Sequence, residues 1–391
     1  LTASEYALHY AFDAGAQDPF VILEYATPAE KGWMMLYSED GHFEGDVSLA
    51  YSGAGGKTSV ALTSARTTGS IGKASTTLPK AADYQKPTGK SNAKVMDFVL
   101  TETPEGFHYA FNAIGTDYML LYWRSKEQTV TQPVYPDENG HYEGDVVSEL
   151  TFARTQFTVQ VKSGSGSMKK EATVRKGYQA PEAPQRQEGR LSGVTVCIDA
   201  GHQENGRFVN EPIGPGLTGS TSGKGGMAQG TKTNRRESIV CLEIGMLLRD
   251  ELLRQGANVV MTREDQTTFH TNIERCEIAE AGGAQIMLRL HCNNSSNRSK
   301  RGIQVYGPLN SDYAKAVADA DTYREMGQKL LDAMKTRVGM TLANSTGMVR
   351  LNDNYVGNNW AKMMCFLVEM GYLSNPAEEY LLVTPVYQQW L

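Results

Sequence analysis

Four residues in the second half of the chain have the types and order of a hydrolytic metal site: His202, Glu237, His291 and Glu369. Two histidines and one carboxylate are the three protein ligands of a catalytic zinc whose fourth position stays open. A further carboxylate, Glu369, stands where a general base for the metal-bound water would sit. Each lies in a short motif, in the order Ile198-Asp199-Ala200-Gly201-His202, Glu237, Leu290-His291-Cys292-Asn293 and Val368-Glu369-Met370-Gly371-Tyr372-Leu373-Ser374-Asn375, with Thr262-Arg263 between the second and third. The chemistry this combination predicts is metal-assisted hydrolysis.

The surrounding pattern supplies elements to hold these residues. From Val194 onward short apolar runs alternate with helical spacing. The runs at 194–198, 258–262, 286–290, 302–306 and 363–368 read as strands, and 236–255, 271–281 and 311–338 as helices. Such alternation predicts an α/β domain over 191–391 with a twisted, mostly parallel sheet flanked by helices. Ligand sites in such sheets collect at the carboxyl ends of strands. His202, His291 and Glu369 each fall at or just after the end of a predicted strand.

The first half is a duplication. His9-Tyr10-Ala11-Phe12-Asp13-Ala14 returns as His108-Tyr109-Ala110-Phe111-Asn112-Ala113, and Asp40-Gly41-His42-Phe43-Glu44-Gly45-Asp46-Val47 as Asn139-Gly140-His141-Tyr142-Glu143-Gly144-Asp145-Val146, both at an offset of 99. Short aromatic and β-branched runs separated by Asp-Gly and Asn-Gly turns predict two tandem all-β domains, immunoglobulin-like sandwiches over 1–70 and 95–162. Composition predicts linkers over 71–94, rich in Lys, Thr, Ser, Pro and Gly, and over 163–190.

Composition narrows the function classes. The chain has 391 residues, 40% of them apolar, and a net charge of −6. Mild acidity argues against nucleic acid as a partner, and no apolar run of about 18 residues predicts a membrane span. The chain opens Leu1-Thr2-Ala3-Ser4 without Met or a signal-like apolar run, a start that either removal of a targeting segment or trimming of the sequence would leave. All five cysteines lie in the second half at wide spacing and read as small buried side chains rather than a disulfide framework. Strand alternation turns Cys292 away from the face of His291. Of the seven histidines, four are duplicated structural positions, and His270 reads as a local or surface residue. Gly219-Ser220-Thr221-Ser222-Gly223-Lys224-Gly225 has the wrong spacing and the wrong last residue for a phosphate loop.

The ordered motifs over residues 192–391 resemble the zinc-dependent N-acetylmuramoyl-L-alanine amidases of the Amidase_3 type. That resemblance implies His202, Glu237 and His291 as zinc ligands, Glu369 as the catalytic carboxylate and a six-stranded sheet flanked by helices. Its implied substrate is peptidoglycan, cut between the lactyl group of N-acetylmuramic acid and L-alanine of the stem peptide. It also implies a secreted or cell-surface bacterial enzyme whose β domains could contact the wall. The other readings are a wall-binding or scaffolding protein with a degenerate amidase domain, and a zinc peptidase acting within the stem peptide. The resemblance leaves departures: the sequence stops at Trp390-Leu391, where the family usually continues a last helix, and it differs at three internal places. Gln203 replaces a glycine, Arg289 replaces a serine, and the 34 residues 203–236 make a longer connection than usual.

Overall fold

The structure is a computed structural model. It describes the chain apart from residues 5–6, 15–17, 29–30, 50–54, 66–68, 83–92, 104–105, 117, 125–128, 148–154, 164–165, 177–181, 205–208, 222–225 and 339–348. Two compact units divide at Gly177 and Tyr178.

The first unit holds the duplication. Its first copy has β1 (Thr2–Ala3), β2 (Ala7–Asp13), β3 (Phe20–Ala26), β4 (Lys31–Tyr37), β5 (His42–Ser48), β6 (Gly56–Ser64) and β7 (Ser70–Leu78). The second has β8 (Lys94–Thr103), β9 (Gly106–Ile114), β10 (Met119–Arg124), β11 (Thr129–Val134), β12 (His141–Val147), β13 (Thr155–Lys162) and β14 (Met168–Lys176). Each copy forms a three-stranded and a four-stranded antiparallel sheet, β1-β2-β5 with β4-β3-β6-β7 and β12-β9-β8 with β11-β10-β13-β14. One apolar core per copy draws on both sheets. Leu8, Phe43 and Val47 meet Val21, Leu23 and Val60 in the first, and Phe107, Phe111 and Tyr142 meet Leu121, Trp123 and Phe157 in the second. The repeated histidines keep repeated partners, His9 with Asp46 at 3.2 Å and His108 with Asp145 at 3.0 Å.

Both expected linkers are partly strand. Residues 70–78 of the 71–94 stretch form β7 on β6, and Lys94 already begins β8; 83–92 lie outside the described residues. Within 163–190, Met168–Lys176 forms β14 on β13. These are edge strands, and their Lys and Thr residues are what an exposed edge carries, so composition mimicked a linker. The start of the second unit also moves ahead of residue 191. The Gln187 N–H donates to the Leu253 carbonyl at 3.0 Å, and Arg186 Nη1 to the Gly256 carbonyl at 2.9 Å.

The second unit contains β15 (Thr195–Ala200), α1 (Glu237–Arg254), β16 (Asn258–Met261), α2 (Asn272–Ala281), β17 (Ile286–Asn293), β18 (Gln304–Gly307), α3 (Asp312–Val317), α4 (Ala320–Val338), β19 (Val349–Leu351), α5 (Val356–Trp360), β20 (Met364–Tyr372), α6 (Pro376–Leu382) and α7 (Pro385–Trp390). Six strands make one sheet in the order β16-β15-β17-β20-β18-β19. All neighbours are parallel except β18 with β20, so the sheet is mixed. The single helix expected over 311–338 is broken: Ala318 is extended, and the Asp319 carboxylate accepts from the Thr322 N–H at 2.7 Å, a side-chain cap that starts α4. Among the described residues no helix is long and apolar enough to cross a membrane.

Candidate metal centre

The adjacent carboxyl ends of β15, β17 and β20 bring three of the four predicted residues together. His202 follows β15 by two residues. His291 and Glu369 are direct neighbours in the parallel register of β17 and β20, so their side chains share a face. Glu237 arrives from the other direction as the first residue of α1. Gly201 makes the convergence possible. A Cβ there would stand 2.6 Å from His291 Cε1 and 2.7 Å from its Nδ1, so only glycine lets the β15 end pass the imidazole. His202 itself sits at φ +59, an uncommon conformation for a residue with a side chain and one that concentrates at functional sites.

Glu237 Oε1 stands 3.1 Å from His202 Nε2 and 3.0 Å from His291 Nδ1, with the two rings at 80° and 4.9 Å between centroids. Ligand atoms around a tetrahedral zinc with bonds of about 2.0–2.1 Å lie about 3.3 Å apart, close to both Glu237 separations, and the three donor atoms all lie within 4.8 Å of one another. They are the one group among the described residues able to hold a metal ion. The carboxylate is oriented by backbone donors, from Ala228 N to Oε2 at 2.7 Å and from Cys292 N to Oε1 at 3.1 Å. Burial alone would raise the Glu237 pKa, but the two imidazoles overcome it and hold the carboxyl well below the usual range. Burial pushes His291 down, towards the neutral form a ligand needs. Its Nε2 is buried with no hydrogen-bond partner.

Glu369 is different. Its Oε2 is also buried and unpartnered. Burial, and then the charge of Glu237, push its carboxyl up to about 8. A carboxyl poised near neutrality can take and return a proton. All four residues line one cleft of about 540 Å³. His270, read from sequence as a local or surface residue, lies on its wall. Cys292 takes part through its backbone N–H, while its thiol is buried and hydrogen-bonds the Cys241 thiol of α1; all five cysteines are free.

Beneath the centre lies a buried polar layer. Asp199 is fully buried. Burial would raise its pKa, but Arg275 and Arg289 prevail and hold it well below the carboxylate range. Arg289 Nε donates to Asp199 Oδ2 at 2.9 Å, and Thr262 Oγ1 to Oδ1 at 2.7 Å. Arg275 reaches Asp199, the Ala200 carbonyl at 2.9 Å and the His202 carbonyl at 3.2 Å. Arg263 clamps the Ala200, Gly201 and Ser238 carbonyls at 2.7–2.9 Å. Arg263 was visible as part of a motif. Arg275 was not, because on a helix read only for its apolar face a charged residue looks solvated.

The Amidase_3 family model, described as N-acetylmuramoyl-L-alanine amidase, matches residues 196–391. The chain belongs to this family. It is similar to the germination-specific N-acetylmuramoyl-L-alanine amidase of Bacillus subtilis (strain 168), 27% identical over 212 residues, 51% of this chain and 75% of the relative. It is likewise similar to the probable cell wall amidase LytH of Staphylococcus aureus, 27% identical over 210 residues. That match covers 53% of this chain and 57% of LytH, little over half its length. Among solved structures, the apo form of the amidase Ami1 from Mycobacterium abscessus matches at 20% identity and a TM-score of 0.45, over 51% of this chain and 93% of that one.

Proposed function

We propose that this amidase-family chain hydrolyses the amide between the lactyl group of N-acetylmuramic acid and L-alanine of the peptidoglycan stem. The observation that carries this reading is the convergence of His202, Glu237 and His291 within the reach of one ion, beside the unpartnered carboxyl of Glu369. The three would hold zinc, which supplies Lewis acidity to the amide carbonyl and to the attacking water. An unstrained amide also has a poor leaving group, so the departing nitrogen must gain a proton. Glu369 would take the proton from the water and deliver it to the L-alanine nitrogen. The buried arginines hold the β15 end, and so His202, in place. We further propose that the protein works outside the cell at the bacterial wall, and that the two all-β domains are immunoglobulin-like and contact the wall.

Mass spectrometry of fragments from purified peptidoglycan tests the reaction. The expected products are intact stem peptides with a free L-alanine amino group and glycan strands without new reducing ends, formed with zinc and lost with chelator. Shortened stems would indicate a peptidase instead. Stoichiometric zinc without turnover would indicate a binding protein. Replacing His202 with Ala should strip the metal, and full zinc occupancy in that variant would overturn the ligand assignment.

A further inference from the structure

Gln203, Arg289 and the 203–236 connection are joined by one run of hydrogen bonds. Glu211, in the first third of the connection, is only 5% exposed, and its carboxylate sits at the N-terminus of α2. Its carboxylate accepts from Asn272 N at 3.1 Å, Asn272 Nδ2 at 2.7 Å and Ile273 N at 2.8 Å. The Asn272 Oδ1 accepts from Arg289 Nη2 at 2.7 Å, and Arg289 continues to Asp199. From Asp199 the run passes through Arg275 to the His202 carbonyl and the Gln203 side chain.

Around Glu211 the connection is folded back on itself. Pro212 bridges Ser220, the Thr221 N–H donates to the Glu211 carbonyl at 2.9 Å, and Ile213 N to the Gly219 carbonyl at 3.1 Å. Two side chains of α5 hold the far side, Trp360 Nε1 on the Pro212 carbonyl at 2.8 Å and Asn359 Nδ2 on the Ile213 carbonyl at 2.9 Å. The near side, with Val209, Glu211 and Thr221, lines the same cleft as the metal centre.

We propose that Glu211 is a positioning residue that fixes residues 209–221 as a wall of the substrate cleft, and that this wall sets how tightly the muramoyl peptide is held. The inference rests on the amidase reading of the site. A fixed wall contributes binding that is equal in the bound and reacting states, so its loss raises KM and leaves kcat in place. A group acting through the metal ligands would lower kcat instead. A carboxylate that merely capped α2 would lower thermal stability without moving KM.

The test uses the full chain and a soluble disaccharide-tetrapeptide muropeptide. Glu211→Ala should keep its zinc, raise KM about tenfold or more and leave kcat within about threefold. Trp360→Phe removes one anchor bond outside the cleft while keeping an aromatic ring, and should raise KM by a smaller factor in the same direction. It carries the test if the first variant does not fold. An unchanged KM, a fall in kcat at constant KM, or a lowered KM that marks the segment as an obstruction would each overturn the proposal. Calorimetric binding of the same muropeptide to the Glu369→Gln protein, with and without Glu211→Ala, separates the two readings. No binding by the parent defeats the amidase reading, whereas equal affinity of the pair defeats the wall.

Discussion

Gly201→Ala should damage the metal centre without touching a ligand. The new Cβ would stand 2.5 Å from the Leu290 carbonyl oxygen, 2.6 Å from His291 Cε1 and 2.7 Å from Nδ1. Carbon contacts settle at about 3.5–4.0 Å, so the ring must retreat by about 0.9 Å or β15 must part from β17. Metal–ligand distances tolerate only about 0.2 Å. The imidazole therefore loses its place in the coordination sphere. Disturbing the groups that orient a ligand costs about 10–100-fold in metal affinity, and direct displacement should cost at least that. Overpacking costs about 1–3 kcal/mol, which for a unit of this size lowers Tm by about 2–12 °C. Zinc affinity is read by chelator competition, turnover on a soluble muropeptide, and Tm by calorimetry. Gly72→Ala, where an added Cβ meets nothing within 4 Å, is the control and should change none of them. Gly201→Ala protein that keeps zinc at parental affinity and turns over within twofold would refute the close-approach reasoning.

Three further outcomes are expected. Glu369→Gln should retain zinc and lose at least about 100-fold in kcat; activity within a few-fold of the parent would remove Glu369 from the mechanism. In the metal-free protein, burial raises the Glu369 carboxyl from 4.5 to about 8, so the folded state binds the extra proton and stability should fall as pH rises through that window. Urea unfolding of chelated Glu369→Gln should lack that slope, and an identical slope in both proteins would contradict it. Asp199→Asn leaves Arg275 and Arg289 buried without their counter-charge, which should cost about 3–5 kcal/mol in denaturant unfolding; a loss below about 1 kcal/mol would show that the layer is not held by charge. Residues 178–391 alone should cleave soluble muropeptides at a rate near that of the full chain and bind whole sacculi less well, and a folded but inactive fragment would place the β domains in the site.

Much of this molecule is written locally. The repeat at offset 99 and the strand–helix alternation after Val194 depend on nearest neighbours and periodicity, which a linear reading sees. The residues of the candidate metal site were legible for a related reason. Histidine and glutamate at the ends of parallel strands converge because all such strands deliver their carboxyl ends to one edge. Tertiary structure decided what depends on the partner rather than the residue. Thr- and Lys-rich 70–78 and 168–176 are strands only because β6 and β13 offer them a ladder. Asp319 breaks the expected long helix by offering a side-chain cap that competes with the backbone. Arg275 and Glu211 were unremarkable charges in the sequence, since an ionised side chain is buried only where opposite charge or backbone donors await it. Those partners, Asp199 for one and the start of α2 for the other, are 76 and 61 residues away along the chain.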